Sequence, residues 1–134
     1  MALIGAEPVA DQRTAPPVSY FPTYHLFTVA GVEYATFIDG AALAASPEWD
    51  FDKSPPISFK RVVEITREEL RKLVNNEADW QVRAITLRRV ANPPYQQKWY
   101  YEVSFHLPQD RTLNLLVDFS GKPGKVMLKR DTDL

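Results

Sequence analysis

Two alternating apolar runs between Trp99 and Phe119 constrain the fold of this chain more than any other stretch. In each run, large apolar side chains occupy every second position, and the polar turn Pro108-Gln109-Asp110 separates the two runs. The apolar set comprises Trp99, Tyr101, Val103, Phe105, Leu107, Leu113, Leu115, Val117 and Phe119. Because the side chains of a strand point alternately to its two faces, this period of two predicts a β-hairpin with one buried face. A face with so many large side chains needs a second layer of structure to cover it.

An amphipathic helix earlier in the chain is predicted to supply that cover. Ser58 is a good N-cap residue, and apolar side chains follow it at spacings of three and four residues as far as Val74. On the polar side, Glu68 and Lys72 are placed to form a favourably oriented i,i+4 pair. Asn75-Asn76 is predicted to end the helix, because asparagine tolerates the left-handed conformation that is common at this point.

The N-terminal half is predicted to add strands to this core. Residues 1–19 show little periodicity, which predicts a flexible leader. The β-branched and aromatic residues that follow predict a hairpin of two short strands, about Tyr24–Val29 and Val32–Ile38. Prolines then predict an extended linker, in which Trp49 and Phe51 are expected to anchor the chain to the core.

Three further short elements complete the secondary-structure prediction. Ala41–Ala45 is expected to form one helical turn, and Lys125–Lys129 a last short strand. The stretch Trp80–Val90 predicts a strand with a bulge near Ala84, where the phase of its apolar residues shifts. An amphipathic helix followed by antiparallel strands predicts one α+β domain over residues 20–134, with the helix packed on an antiparallel sheet. The extra N-terminal strands either extend that sheet or form a second half.

Composition removes several classes of function. A chain of 134 residues suits a single domain, and its net charge of −1 provides no electrostatic case for binding nucleic acid or an anionic membrane. The sequence has no cysteine, which excludes disulfides, thiolate zinc sites and a cysteine nucleophile but does not determine the compartment. No apolar run reaches the length of a membrane span. The first seven residues lack the basic segment of a signal peptide, and a trimmed signal peptide or an arbitrary N-terminus are both open readings.

No constellation of residues in the sequence indicates catalysis. His25 and His106 lie in separate predicted strands without a carboxylate at metal-ligand spacing. The sequence also lacks a glycine-rich phosphate loop, a nucleophile elbow and a dinucleotide fingerprint. Four acidic residues across the linker could offer oxygen ligands to a cation such as calcium, but they lack the spacing of an EF-hand. They are Asp39, Glu48, Asp50 and Asp52. We therefore expect no catalytic residue, no cofactor and no metal site, and we predict that the protein is not an enzyme.

The polar face of the long hairpin is the remaining candidate for binding. Its mixture of aromatic and polar groups suggests a surface for another protein, with four candidate partner-binding residues: Tyr100, Glu102, His106 and Asn114. Either the N-terminal segment or another protein is expected to cover this face. A free edge strand is the alternative surface through which another protein would bind, by backbone contacts. The basic residues Arg83, Arg88 and Arg89 favour a salt-bridged sheet edge over a nucleic-acid surface, because the total charge is close to neutral.

Features spread over the second half of the chain occur together in a known family. They are the proline-led helix from Pro56 to Thr66, a strand opening near Trp80, the Trp-Tyr-Tyr-x-Val-x-Phe pattern at Trp99–Phe105, and Val117-Asp118 followed by a glycine turn at Gly121. With these features, the unit of about residues 55–130 resembles the PepSY domain family. The resemblance implies a helix packed on an antiparallel sheet, in exported or cell-envelope proteins. It also implies a non-catalytic role, sometimes as an inhibitory segment of protease precursors, and it transfers no catalytic residues.

The expected function is therefore a non-catalytic protein-binding or inhibitory module of the bacterial cell envelope, with a peptidase as a candidate partner. The expected location is periplasmic or secreted, and the alternative is cytoplasmic. The alternative function is that of a small-ligand carrier or enzyme with a pocket between the helix and the sheet. The aromatic residues available to line such a pocket are Trp80, Trp99, Tyr101 and Phe105.

Overall fold

The described part of the chain contains six strands and two α-helices, and the strands form two antiparallel sheets of three strands each. The computed structural model describes residues 21–108 and 111–129, so the predicted leader at residues 1–19 lies outside the described residues. The elements in chain order are β1 (Thr23–Val29), β2 (Val32–Ile38), α1 (Gly40–Ala45), α2 (Phe59–Leu73), a short 3₁₀ turn (Glu77–Asp79), β3 (Gln81–Arg89), β4 (Trp99–Leu107), β5 (Arg111–Asp118) and β6 (Lys125–Leu128). The sheets have the strand orders β1-β2-β6 and β3-β4-β5. The predicted α+β class is confirmed.

The main core lies between α2 and the hairpin formed by β4 and β5. In the register of this hairpin, Tyr101 faces Val117 and Phe105 faces Leu113, and all four side chains are fully buried. From the helix, Val62 and Leu70 enter the same apolar cluster. The burial of the hairpin's apolar face and the helix that covers this face are therefore confirmed. Each large side chain buried in this way contributes roughly 1.5–3 kcal/mol before the loss of conformational entropy is counted.

The two ends of α2 follow the prediction to different extents. Ser58 is the N-cap, and its hydroxyl accepts a hydrogen bond from the N–H of Arg61 at 3.1 Å, as expected. The predicted left-handed asparagine ending is wrong, because Val74 is the C-cap with φ −134° and Asn76 has φ −122°. The chain continues extended into the 3₁₀ turn, whose Glu77 is drawn to the helix by Arg67 at 2.8 Å.

The predicted pairing of charges on the exposed side of α2 is also wrong. Glu68 pairs with Arg71, and Lys72 pairs with Glu69 at 3.0 Å, so both ion pairs have i,i+3 spacing. Glu77 lies 3.1 Å from the Nε of Arg71 and holds this side chain on the side facing the 3₁₀ turn. Glu77, which lies beyond the helix, thus favours the Glu68–Arg71 ion pair over the predicted Glu68–Lys72 pair of similar strength.

The N-terminal hairpin forms as predicted, with β1 and β2 joined through Ala30 and Gly31. Both turn residues have positive φ, 52° and 80°, as in the type I′ turns that connect the strands of a tight hairpin. The last strand pairs with β2, in a register that places Thr36 opposite Val126. The N-terminal strands therefore belong to a second sheet that the C-terminal strand completes, one of the two predicted arrangements.

The remaining local predictions are confirmed at β3, α1 and Trp49. The register of β3 against β4 shifts between Val82 and Ala84, at the predicted bulge. The linker is anchored by Trp49, whose ring lies 5.3 Å from that of Trp99 and 5.9 Å from that of Phe119. Phe51 packs against the rings of Trp49 and Trp99 but remains 65% exposed, so its predicted anchoring holds only in part.

Candidate binding surface

Sheet β1-β2-β6 covers half of the hairpin face that was expected to be exposed. Tyr100 and Glu102 are only 4% and 8% exposed, so the expectation of an exposed face is wrong for these two residues. The covering residue is His25 of β1, with Nε2 3.0 Å from the hydroxyl oxygen of Tyr100 and Nδ1 3.4 Å from a carboxylate oxygen of Glu102. Of the two predicted covers, the N-terminal segment is the one found over these residues.

The other two candidate residues lie on the same face, farther from this cover. Asn114 is half-buried and accepts a hydrogen bond from the hydroxyl of Ser104 at 2.5 Å. His106 is also half-buried, and its buried Nδ1 has no hydrogen-bond partner among residues 21–108 and 111–129. The structure therefore separates the four candidates into a covered pair and a half-buried pair.

The covered pair belongs to a polar network between the two sheets. Arg88 of β3 donates a hydrogen bond to Glu102, which also faces His25. Burial lowers the pKa of His25, the negative charge of Glu102 opposes that change, and the positive charge of Arg88 adds to it. Burial also raises the pKa of Tyr100. These groups satisfy one another, and the network acts as a polar connection between the sheets.

The aromatic residues expected to line a pocket between helix and sheet instead fill the core. Trp80, Tyr101 and Phe105 are buried. Trp99 is half-buried, and its ring packs against those of Trp49 and Phe51. The predicted position of the pocket, between the helix and the sheet, is therefore wrong. A cleft of about 480 Å³ lies instead beyond the C-terminal end of α2. Its lining residues include Val29, Leu73, Val74, Trp80, Leu107 and Arg111.

The described ranges contain neither a metal-binding cluster nor a helix that could span a membrane. No group of three or more histidine, aspartate or glutamate side chains there is arranged to hold a metal ion. Asp39, one of the acidic linker residues, caps α1 through the N–H of Ala42 at 2.8 Å and pairs with Lys125 at 2.9 Å. None of the described helices combines the length and the apolar character needed to cross a membrane.

The outer edge of β3 is one of the edges that the two sheets leave without a paired strand among the described residues. This strand pairs with β4 on one side, and no strand of the described chain pairs with it on the other. Val90, just after β3, donates its N–H to the carbonyl of Lys98 at 2.9 Å. Hydrogen-bonded pairs recur at every second residue of an antiparallel ladder, so the backbone N–H and C=O of Arg88 also point towards β4. The backbone groups of the residues on either side of Arg88 point away from β4. The backbone groups directed to the free edge are those of Ile85, Leu87 and Arg89.

The helix side of this edge carries Ile85, Leu87 and Arg89, and the opposite face carries Ala84, Thr86 and Arg88. Ile85 and Leu87 lie on the helix side and are only half-buried, and Val82 beside them is 36% exposed. On the opposite face, Arg83 reaches across the sheet to the hydroxyl of Thr112 at 3.5 Å. A free edge with a half-covered apolar row is an arrangement that an extended peptide can complete.

The prediction of a salt-bridged edge is correct for only one of the three arginines. Arg88 pairs with Glu102, whereas Arg83 and Arg89 have no carboxylate partner in the part of the chain that the structure describes. Arg89 instead donates to the backbone carbonyl of Gln96. Sequence periodicity indicated a strand here, but the absence of a neighbour on its outer side follows only from the topology.

Comparisons with known proteins add no assignment to these observations. The scan against family models, the search of curated proteins and the search of solved structures each found no match.

Proposed function

We propose that this chain is a non-catalytic protein-binding module that takes up an extended segment of another protein along the free edge of β3. The observation that carries the proposal is this edge, which no strand of the described residues pairs with, and the backbone groups of Ile85, Leu87 and Arg89 are directed away from β4. An added strand would form main-chain hydrogen bonds with these groups and cover the half-exposed apolar row. Affinity would come from the backbone and specificity from the alternate side chains.

The resemblance to PepSY domains supports an inhibitory version of this role. In that version, the bound segment belongs to a peptidase, and the protein acts in the periplasm or is secreted. The helix-on-sheet arrangement of α2, β4 and β5 is consistent with the resemblance, although it is a general arrangement of α+β proteins. The inhibitory role therefore rests on the sequence pattern, and strand addition rests on the geometry.

A peptide-library selection tests the proposal. Peptides that bind the wild-type protein are selected from a random library. The affinity of the tightest-binding peptide is then measured for the wild type, Leu87→Pro and Leu87→Ala. Proline at Leu87 removes an N–H that points to the free edge and leaves the ladder to β4 intact, so we expect binding to weaken at least about tenfold. Leu87→Ala loses a comparable side chain but keeps the N–H, and it is expected to retain most of the binding.

Backbone chemical shifts of the complex locate the bound peptide. Shifts confined to β3 would support strand addition. Shifts at the cleft near Leu73 and Arg111 would instead favour the second candidate function, a small-ligand carrier, which the cleft volume of about 480 Å³ favours. A selection that yields no binding peptide would overturn the proposal, as would a peptide that binds Leu87→Pro and the wild type equally. For the inhibitory version, peptidase activity should fall with the wild type and recover with Leu87→Pro.

A further inference from the structure

The charge along β3 narrows the chemistry of the segment that would pair with it. The strand has the sequence QVRAITLRR, which contains three arginines and no acidic residue. Glu102 neutralises Arg88, but Arg83 and Arg89 face no carboxylate within the described residues. An incoming strand would meet Arg83 and Arg88 on the face opposite the helix. Arg89 lies on the helix side, in line with Ile85 and Leu87, so Arg83 is the arginine without a charge partner that the carboxylates would meet.

We infer that the partner of β3 is an acidic extended segment in which carboxylate residues alternate with apolar residues. This inference rests on the proposed strand addition. The partner's residues opposite Ile85 and Leu87 point to the helix side, where apolar side chains would extend the half-buried row. Its alternate residues point to the other face, where Ala84 and Thr86 are small and exposed and leave room beside Arg83 and Arg88.

A second copy of this chain is a poorer occupant of the same edge. Pairing β3 with β3 would double the number of arginines in one ribbon without adding a carboxylate to it. Like charges on neighbouring strands repel each other, whereas opposite charges at cross-strand positions attract. The edge therefore disfavours self-association and favours a foreign acidic segment.

Three synthetic peptides test the inference. Each has 9 residues, the length of β3, with valine alternating with glutamate, glutamine or lysine. Affinities are measured by fluorescence anisotropy at low ionic strength and again near 0.15 M salt. We expect the glutamate peptide to bind about tenfold more tightly than the glutamine peptide at low salt, and this advantage should shrink as salt screens the charges.

Variants that remove a positive charge test whether the preference for the glutamate peptide arises from the arginines of β3. Arg83→Gln and Arg89→Gln each remove a guanidinium that holds no ion pair in the described chain, so both proteins should fold normally. Arg83→Gln should bind the glutamate peptide more weakly, by about two- to fivefold, whereas Arg89→Gln should bind it like the wild type, because valine lies opposite Arg89. Lys122→Gln is the matched control, because it removes a positive charge from the turn after β5, on the far side of the sheet. Its affinity should match that of the wild type.

Two results would overturn the inference. One is equal affinity for the glutamate and glutamine peptides; if Leu87→Pro abolishes both, strand addition stands and only the acidic partner is wrong. The other is self-association of the free protein through β3, detected by sedimentation and abolished by Leu87→Pro, which would make a second copy the occupant. A lack of binding by all three peptides also removes the acidic partner, and the library selection then decides strand addition separately.

Discussion

A single hydroxyl group connects the chain before α2 to the central strand of the main sheet. The hydroxyl of Tyr101 donates a hydrogen bond to the carbonyl of Ile57 at 2.8 Å and accepts one from the N–H of the same residue at 3.0 Å. The ring is fully buried and lies 4.9 Å from that of Phe119. Tyr101→Phe removes both hydrogen bonds and leaves the aromatic ring in place, so its effect on stability isolates this connection.

The size of the effect follows from what the substitution removes. Each neutral hydrogen bond contributes about 1 kcal/mol to the free energy of unfolding, and both backbone groups of Ile57 lose their partner. Ile57 is only half-buried, so water can reach part of the freed groups and limits the loss. We expect Tyr101→Phe to lower the free energy of unfolding by about 2 kcal/mol. With a urea m-value of about 2 kcal/mol/M, the midpoint should fall by about 1 M.

Urea denaturation followed by tryptophan fluorescence measures this change. Trp99 lies beside Tyr101 in β4, and Trp49 packs against it, so the emission reports on the same region. Tyr24→Phe is the matched control, because Tyr24 is 38% exposed and its hydroxyl has no hydrogen bond within the described residues. Its midpoint should stay within error of the wild type. A loss below about 0.5 kcal/mol for Tyr101→Phe would refute the reasoning, because ordinary surface substitutions have effects of that size.

Two further predictions concern the contacts of the second sheet. Burial lowers the pKa of His25 below its unfolded value of about 6.5, so the stability that neutral His25 contributes is present above pH 6.5 and is lost as pH falls towards the folded pKa. His25→Gln should therefore lose less stability than the wild type between pH 7 and pH 5, and equal losses in thermal melts would contradict this. Gly124→Ala should lower stability by about 1–3 kcal/mol, because the new Cβ would lie 3.0 Å from both the Cβ of Leu116 and the carbonyl oxygen of Phe37. A melting temperature equal to that of the wild type would show that the turn moves without penalty.

Local patterns predicted the elements of this fold well. The period of two between Trp99 and Phe119 became β4 and β5, and the apolar stripe after Ser58 became α2. Both patterns work because a buried face repeats with the geometry of its own element. The end of α2 was predicted wrongly because Arg67 and Arg71 reach Glu77 beyond the helix, a contact between elements that no local rule contains.

The candidate site was predicted less well than the elements. Tyr100 and Glu102 were placed correctly on the polar face of β4, but this face is covered where His25 packs on it from 75 residues earlier in the chain. A free edge strand was an alternative binding surface in the sequence-based prediction, but β3 was not identified as that strand, because an edge is defined by the absence of a neighbouring strand. The basic residues Arg83 and Arg89 were a signal in the sequence, although their pattern alone does not tell an edge strand from a central one.

The sequence by itself determined the hairpin, the helix and the apolar face that joins them, because these depend on residue spacing along a few neighbouring turns or strands. Tertiary structure decided which faces and edges remain open. It closed the face at Tyr100 and Glu102 by packing β1 over it, paired β6 with β2, and left β3 without an outer partner among the described strands. The reason is physical: burial at these positions depends on contacts between segments far apart in the chain, and each such contact is set by the packing of whole sheets.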